Sequence, residues 1–164
     1  MFNFFKKLFI VIFIAISQIF FVNSFSLQTS ETTDFKNLLT SQLISANTSI
    51  EGLLYKFDST DILKILNQKG KEGVKFRFLC DKLALPLAKQ LKQYGDIYEF
   101  KSSLFDKLHA KAILIDNTTL LIGSPNFDKS SISTNMEILL KTNEPNLIKQ
   151  FNDLFNKALE NNNK

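Results

Sequence analysis

The sequence predicts an α/β fold, with a mixed β-sheet sandwiched between helices, and three observations predict it. Apolar residues recur at helical spacing in separate windows, as at Leu38, Leu39, Leu43 and Ile44, and again at Ile62, Leu63, Ile65 and Leu66. Short apolar or alternating runs lie between these windows, among them Val74, Phe76, Phe78 and Cys80. The connections are brief and carry turn residues such as Gly70, Gly73 and Gly95. Helices that alternate with strands over short loops build layers on a sheet.

Residues 1–24 place Lys6 and Lys7 ahead of an apolar stretch, 8–22, broken only by Ser17 and Gln18 and followed by Val22-Asn23-Ser24. This is the layout of a secretory signal peptide cut near Ser24. The stretch has 15 residues, short of the roughly 20 needed to cross a bilayer; the alternative is a retained anchor over residues 2–22. Export to the periplasm or outside the cell is the expected location. Residues 25–34 read as a linker. The domain proper, residues 35–159, opens with a helix over 35–46, then a strand over 49–57. Asp58, Ser59 and Asp61 offer caps for a helix over 62–69. A strand over 74–81 follows, then a helix over 85–94 with Pro86 in its first turn, and a strand over 97–100. Two further strands, 112–115 and 120–122, are joined by a turn. A last strand over 136–141 and a helix over 145–159 beginning at Pro145 close the domain. Residues 160–164 read as a disordered tail.

Without the leader 140 residues remain, enough for one domain with a real core and too few for two. Of 20 basic residues, two are Lys6 and Lys7; removing them leaves 18 against 16 acidic, a net of +2. That mild charge permits a polyanionic partner without demanding one. Lysine outnumbers arginine 19 to one, so Arg77 is the single bidentate cation. The lysines at 64, 69, 71, 75, 82, 89 and 92 read as solvated faces, with a nucleic-acid track as the alternative. Cys80 is alone, which excludes an intrachain disulfide, and its alternating neighbours make it a buried thiol. One histidine and one cysteine leave no group with metal-ligand spacing, so neither a metal nor another cofactor is expected.

Chemistry concentrates in residues 109–126, HAKAILIDNTTLLIGSPN, which hold the chain's one histidine. If the strands 112–115 and 120–122 form a hairpin, His109 and Lys111, two apart, share a face of the first strand. Ser124 and Asn126 follow the second strand and return beside that face. A nucleophile or base, a cation and two neutral hydrogen-bonding side chains then meet on one patch, the composition of a phosphate site. Each also has a plainer reading: a lone surface histidine, a solvated lysine, two turn residues after Gly123 and, at Glu137, an ordinary strand carboxylate.

The spacing His109-x-Lys111, four residues, Asp116, six residues, Gly123-Ser124-x-Asn126 resembles the HxKx4Dx6GSxN (HKD) motif of the phospholipase D superfamily. Six identities at fixed spacing arise by chance on the order of one time in a million in such a chain. Outside the motif, the order of elements over residues 35–159 is similar to that of the small single-motif members. The resemblance implies a phospholipase D-like fold with one motif per chain and a metal-independent phosphodiesterase working through a covalent phosphohistidine. It makes His109 the nucleophile, and Lys111, Ser124 and Asn126 the groups that hold the phosphate oxygens. It makes Glu137 the carboxylate that orients the histidine, and Asp116 and Gly123 structural residues. Single-motif members pair as two-fold homodimers, so His109 of the partner subunit would serve as general acid. The expected substrate is nucleic acid, cut by a non-specific endonuclease. A phospholipase D acting on phosphatidylcholine or another phospholipid, with contact to a membrane surface, is the alternative; an inactive binding module is a third. Two positions depart from the bacterial nucleases, Ala110 within the motif and Ile138 after Glu137.

Overall fold

The computed structural model describes residues 25–29 and 34–162. The expected leader with its cut near Ser24, the alternative anchor over 2–22, and residues 163–164 of the expected tail lie outside these. Among the described residues no helix is long and apolar enough to cross a membrane.

The domain is a seven-stranded mixed sheet in the order β1-β7-β6-β5-β2-β3-β4. In chain order the elements are β1 (Phe25–Thr29), α1 (Asp34–Ser45), β2 (Ser49–Leu54), α2 (Thr60–Lys71), β3 (Lys75–Cys80), α3 (Leu85–Ala88), a 3-10 helix (Lys89–Tyr94) and β4 (Gly95–Glu99). Then come β5 (Ala112–Ile115), β6 (Thr119–Gly123), α4 (Lys129–Ser133), β7 (Ile138–Thr142) and α5 (Pro145–Asn162). Strands β2, β3 and β4 run parallel, as helical crossovers require, while β5, β6, β7 and β1 join antiparallel. Alternation along the strands sorts the core onto two faces. Ile50 and Leu54 of β2, Phe76, Phe78 and Cys80 of β3, and Ile113 and Ile115 of β5 meet Leu39, Leu43, Ile62 and Leu66 of α1 and α2. Leu53, Leu79 and Leu114 turn the other way, onto Ile148, Phe151 and Phe155 of α5. On that second face Arg77 donates to Glu51 Oε2 from Nη2 at 2.6 Å and lies 4.9 Å from the centre of the Phe155 ring. Cys80 is fully buried, and burial, followed by the charge of Asp81, pushes its thiol up to about 12.

Four expectations are corrected. Residues 25–29, read as linker, form the edge strand β1, paired in register from Phe25 to Thr142 through Thr29 to Ile138. The helix expected over 85–94 is only one α-turn, then continues as a 3-10 helix. At about 2.0 Å per residue against 1.5 Å, the tighter form reaches further with six residues, and it brings Tyr94 onto Gly70 of α2 and against the edge of Phe76. A short helix not anticipated, α4, starts at Asp128, whose carboxylate accepts from Ser131 N at 2.7 Å. The closing helix runs on into the expected tail, to Asn162, because that side chain completes the end of β4: its Nδ2 donates to Glu99 O at 2.7 Å and its Oδ1 accepts from Lys101 N.

Candidate active site

The β5–β6 hairpin turns on Asp116 and Asn117, both left-handed at φ 51° and 54°, with Thr118 N donating to Ile115 O at 3.0 Å. Asp and Asn tolerate this conformation best among side chains with a Cβ. The Asp116 carboxylate also reaches the start of β2. It accepts from Asn47 N (2.9 Å), Thr48 N (2.8 Å), Thr48 Oγ1 (2.9 Å) and Ser49 N (3.0 Å). Burial opposes the charge, but the hydrogen bonds outweigh it and hold this carboxyl below its usual range. Five steps of near-extended chain separate Asp116 from Lys111, roughly 16 Å. It secures the far end of the hairpin.

At the near end, β5 begins only at Ala112, so the shared strand face expected for His109 and Lys111 is not formed. The ladder stops there because both neighbours leave: Gly123 N gives the last bond, 3.3 Å to Lys111 O, and Ser124 N turns to Ile138 O of β7 at 3.0 Å. Residues 109 and 110 therefore run free of the sheet, and the Lys111 side chain curls back to donate from Nζ to the His109 carbonyl at 2.7 Å. His109 is exposed. Leu108, just before it, is buried and pinned by its N–H to the Asp81 carboxylate at the end of β3, 3.0 Å away.

Gly123 allows the close approach of β6 and β7 that brings Ser124 to Glu137. A Cβ on Gly123 would stand 2.1 Å from Ile138 O. Ser124 Oγ donates to Glu137 Oε2 and accepts from Ile138 N at 3.1 Å, while Asn135 Nδ2 donates to Glu137 Oε1 at 3.2 Å. Glu137 is 5% exposed, a buried carboxylate facing Lys111 electrostatically. Gly123→Ala is expected to destabilise the fold by about 3 kcal/mol or more, read from the urea midpoint, because the clash is with backbone. Gly52→Ala is the milder control, since the atom nearest a Cβ there is the movable Ile113 Cδ1.

Asn126 lines one small cavity together with Lys111, Gly123, Tyr55 and Lys56. Its N–H donates to Ser131 Oγ at 3.0 Å, and its Oδ1 is buried without a hydrogen-bond partner among the described residues. Beneath it lies an ion pair that the sequence reading did not anticipate: Lys56 Nζ stands 3.0 Å from Asp128 Oδ2 and 3.1 Å from Asp58 Oδ2. The hydrogen bond it donates to Asp128, then that to Asp58, raises Lys56 above the usual lysine range. Burial works against the Asp128 charge, but the Ser131 N–H and Lys56 overcome it and lower that carboxyl. Lys111 moves down: burial lowers it and Lys107 adds to this, against the opposing pull of Glu137 and Asp128. The structure thus gathers Lys111, Gly123, Ser124, Asn126 and Glu137 at one end of the sheet beside His109, and leaves Asp116 at the other. Tyr55, Lys56 and Asp81 join them from distant parts of the chain, and Asp128 from two residues beyond Asn126; the Asp128-x-x-Ser131 spacing was the one local signal, that of a helix cap. Among the described residues no three His, Cys, Asp or Glu side chains gather as metal ligands.

Residues 39–159 match the family described as cardiolipin synthase, PLD-like domain. The chain is 28% identical over 132 residues to the mitochondrial cardiolipin hydrolase of Danio rerio, covering 78% of this chain and 58% of that protein's length. Nuc, a phospholipase D family member from Salmonella typhimurium, superposes with a TM-score of 0.73 at 27% identity, over 85% of this chain and 95% of that one. NucT from Helicobacter pylori shares the fold, with a TM-score of 0.71 at 22% identity over 85% and 97%. With the family match over residues 39–159 and a buried carboxylate, an exposed histidine and the motif's lysine, serine and asparagine at one end of a sheet of this topology, the chain belongs to the phospholipase D superfamily of phosphodiesterases.

Proposed function

We propose that the protein is a metal-independent phosphodiesterase that works through a phosphohistidine at His109, acts as a homodimer, and cuts nucleic acid. The observation that carries the reading is the convergence of Lys111, Ser124, Asn126 and buried Glu137 beside an exposed His109. A ring nitrogen of His109 attacks phosphorus, the bond to the leaving oxygen breaks, and His109 of the partner subunit supplies that oxygen's proton. Water then attacks phosphorus, the P–N bond breaks, and the water proton returns to the partner's His109. Lys111 and Asn126 hold the non-bridging oxygens as charge gathers on them. Glu137 holds Ser124 and, in this reading, the second His109 nitrogen. The leader read from residues 1–24 would export the enzyme.

Nucleic acid is favoured by the openness of the site and by its cations. His109 stands on an exposed face, and Lys107 and Lys111 lie over the Tyr55 ring beside it, whereas Lys56 on the cavity wall is already paired to Asp58 and Asp128. The lysine track considered from sequence is a weaker support. Lys69, Lys71 and Lys75 flank the turn into β3, at the end of the parallel strands away from the site, and Lys64 and Lys69 are ion-paired to Asp61 and Glu72.

A phospholipid is the second reading, favoured by one feature. The loop ahead of His109 exposes Leu104 and Phe105 (83% and 66%), and both line a cavity of about 540 Å³ with Leu154 and Ala158 of α5. The relative named as a cardiolipin hydrolase points the same way. The test is product release from plasmid DNA and, in parallel, from phosphatidylcholine and cardiolipin vesicles, with EDTA present and the leader removed. DNA nicking by the parent but not by His109→Ala is the expected result. Lipid headgroup release alone would replace the substrate, and loss of all activity in EDTA would overturn the metal-independent mechanism.

A further inference from the structure

His109 lies outside every strand and is exposed, an arrangement that by itself leaves a nucleophile free to sample several rotamers. The ring that packs on it comes from Tyr55, the residue after β2, with centroids 4.4 Å apart and planes at 61°. Tyr55 also faces two cations of the same loop: Lys111 Nζ lies 4.7 Å from the ring centre and Lys107 Nζ 6.0 Å. Both fall within the roughly 6 Å over which a ring face attracts an ammonium. Register explains why these groups meet. β2 and β5 are antiparallel with Leu53 opposite Ala112; continued two residues, that pairing sets Tyr55 opposite Ala110, between His109 and Lys111.

We infer that Tyr55 is a positioning residue of this site, whose ring fixes the His109 imidazole and the Lys111 ammonium relative to each other. This rests on the phosphohistidine reading above. The nucleophile must point at phosphorus while the cation leaves the His109 carbonyl for a phosphate oxygen, and the Tyr55 face can hold the ammonium in both positions. An ångström of misplacement at such a centre is worth about 100-fold in rate. The hydroxyl has no part in this argument, so phenylalanine keeps the function and leucine does not.

The test compares Tyr55→Phe and Tyr55→Leu with the parent on bis(p-nitrophenyl) phosphate and by NMR of the chain's single histidine, whose ring signals need no assignment. Expected for Tyr55→Leu is a fall in kcat of about 30- to 100-fold, KM within about threefold, and a His109 ring signal that loses its ring-current shift. The alkaline limb of the rate profile moves to lower pH, since Lys111 loses the ring face that favours its charge while Lys107, Glu137 and Asp128 still face it. Tyr55→Phe keeps all these properties. Parental kcat and an unmoved His109 signal in a folded Tyr55→Leu would overturn the inference, as would a Tyr55→Phe that loses activity with its histidine signal in place. If the parent cleaves nothing but the histidine signal still responds to Tyr55→Leu, the positioning stands and the phosphodiesterase reading falls.

Discussion

His109→Ala is expected to reduce phosphodiester cleavage by about 10,000-fold or more, with unfolding unchanged, because in the proposed two-fold dimer one substitution removes two functions. The nucleophile is lost from one subunit and the proton donor from the other. The chain holds no second histidine to substitute for either. His109 is exposed and outside the sheet, so its truncation leaves no cavity in the core. Mixing gives a sharper result. If parent and variant chains are co-expressed in equal amounts and pair at random, activity is expected to fall to about a quarter of the parental value, because only dimers with both histidines work. A fall to one half would mean that each subunit carries a complete site, and the shared-site dimer would be wrong.

Asp116→Ala is expected to lower stability by about 3–5 kcal/mol, measured by urea unfolding, while activity per folded molecule stays near parental. Four donors from Asn47, Thr48 and Ser49 lose their acceptor, and alanine must also adopt the left-handed conformation at φ 51°. Asp116→Asn is the milder change, since asparagine accepts that conformation and keeps one side-chain oxygen. The effect is pH-dependent in a defined direction. The folded carboxyl titrates below its unfolded value of about 4, so its contribution is fully present above that value and is lost as pH falls through the folded one. The gap between parent and Asp116→Ala therefore narrows in acid. A gap that widened below pH 4 would contradict this account.

Local pattern carried much of this molecule. Ala112–Ile115 and Thr119–Gly123 are short apolar runs around a turn of Asp116 and Asn117, and they form the hairpin that pattern predicts. The crossover helices and parallel strands follow from periodicity changing between 3.6 and 2 along the chain. Phe25, Leu27 and Thr29 alternate with Ser26 and Gln28, a strand signal in only five residues directly after an apolar stretch, and it becomes a strand by pairing with β7 from more than a hundred residues away. The stop at Ala112 was equally hidden, because a strand ends where its neighbours leave it, and those departures happen at Leu54 and Ser124.

The residue types of the site, their spacing and the superfamily were all legible along the chain. A phosphate-handling motif must keep specific side chains at specific intervals around a tight turn, and such intervals are visible in one dimension. Their surroundings were set by folding. Tyr55 against His109 and Lys111, Lys56 against Asp128, and Asp81 holding Leu108 join positions 27 to 72 residues apart. These contacts depend on the register between strands and on which sheet end each loop leaves, and no local periodicity encodes either.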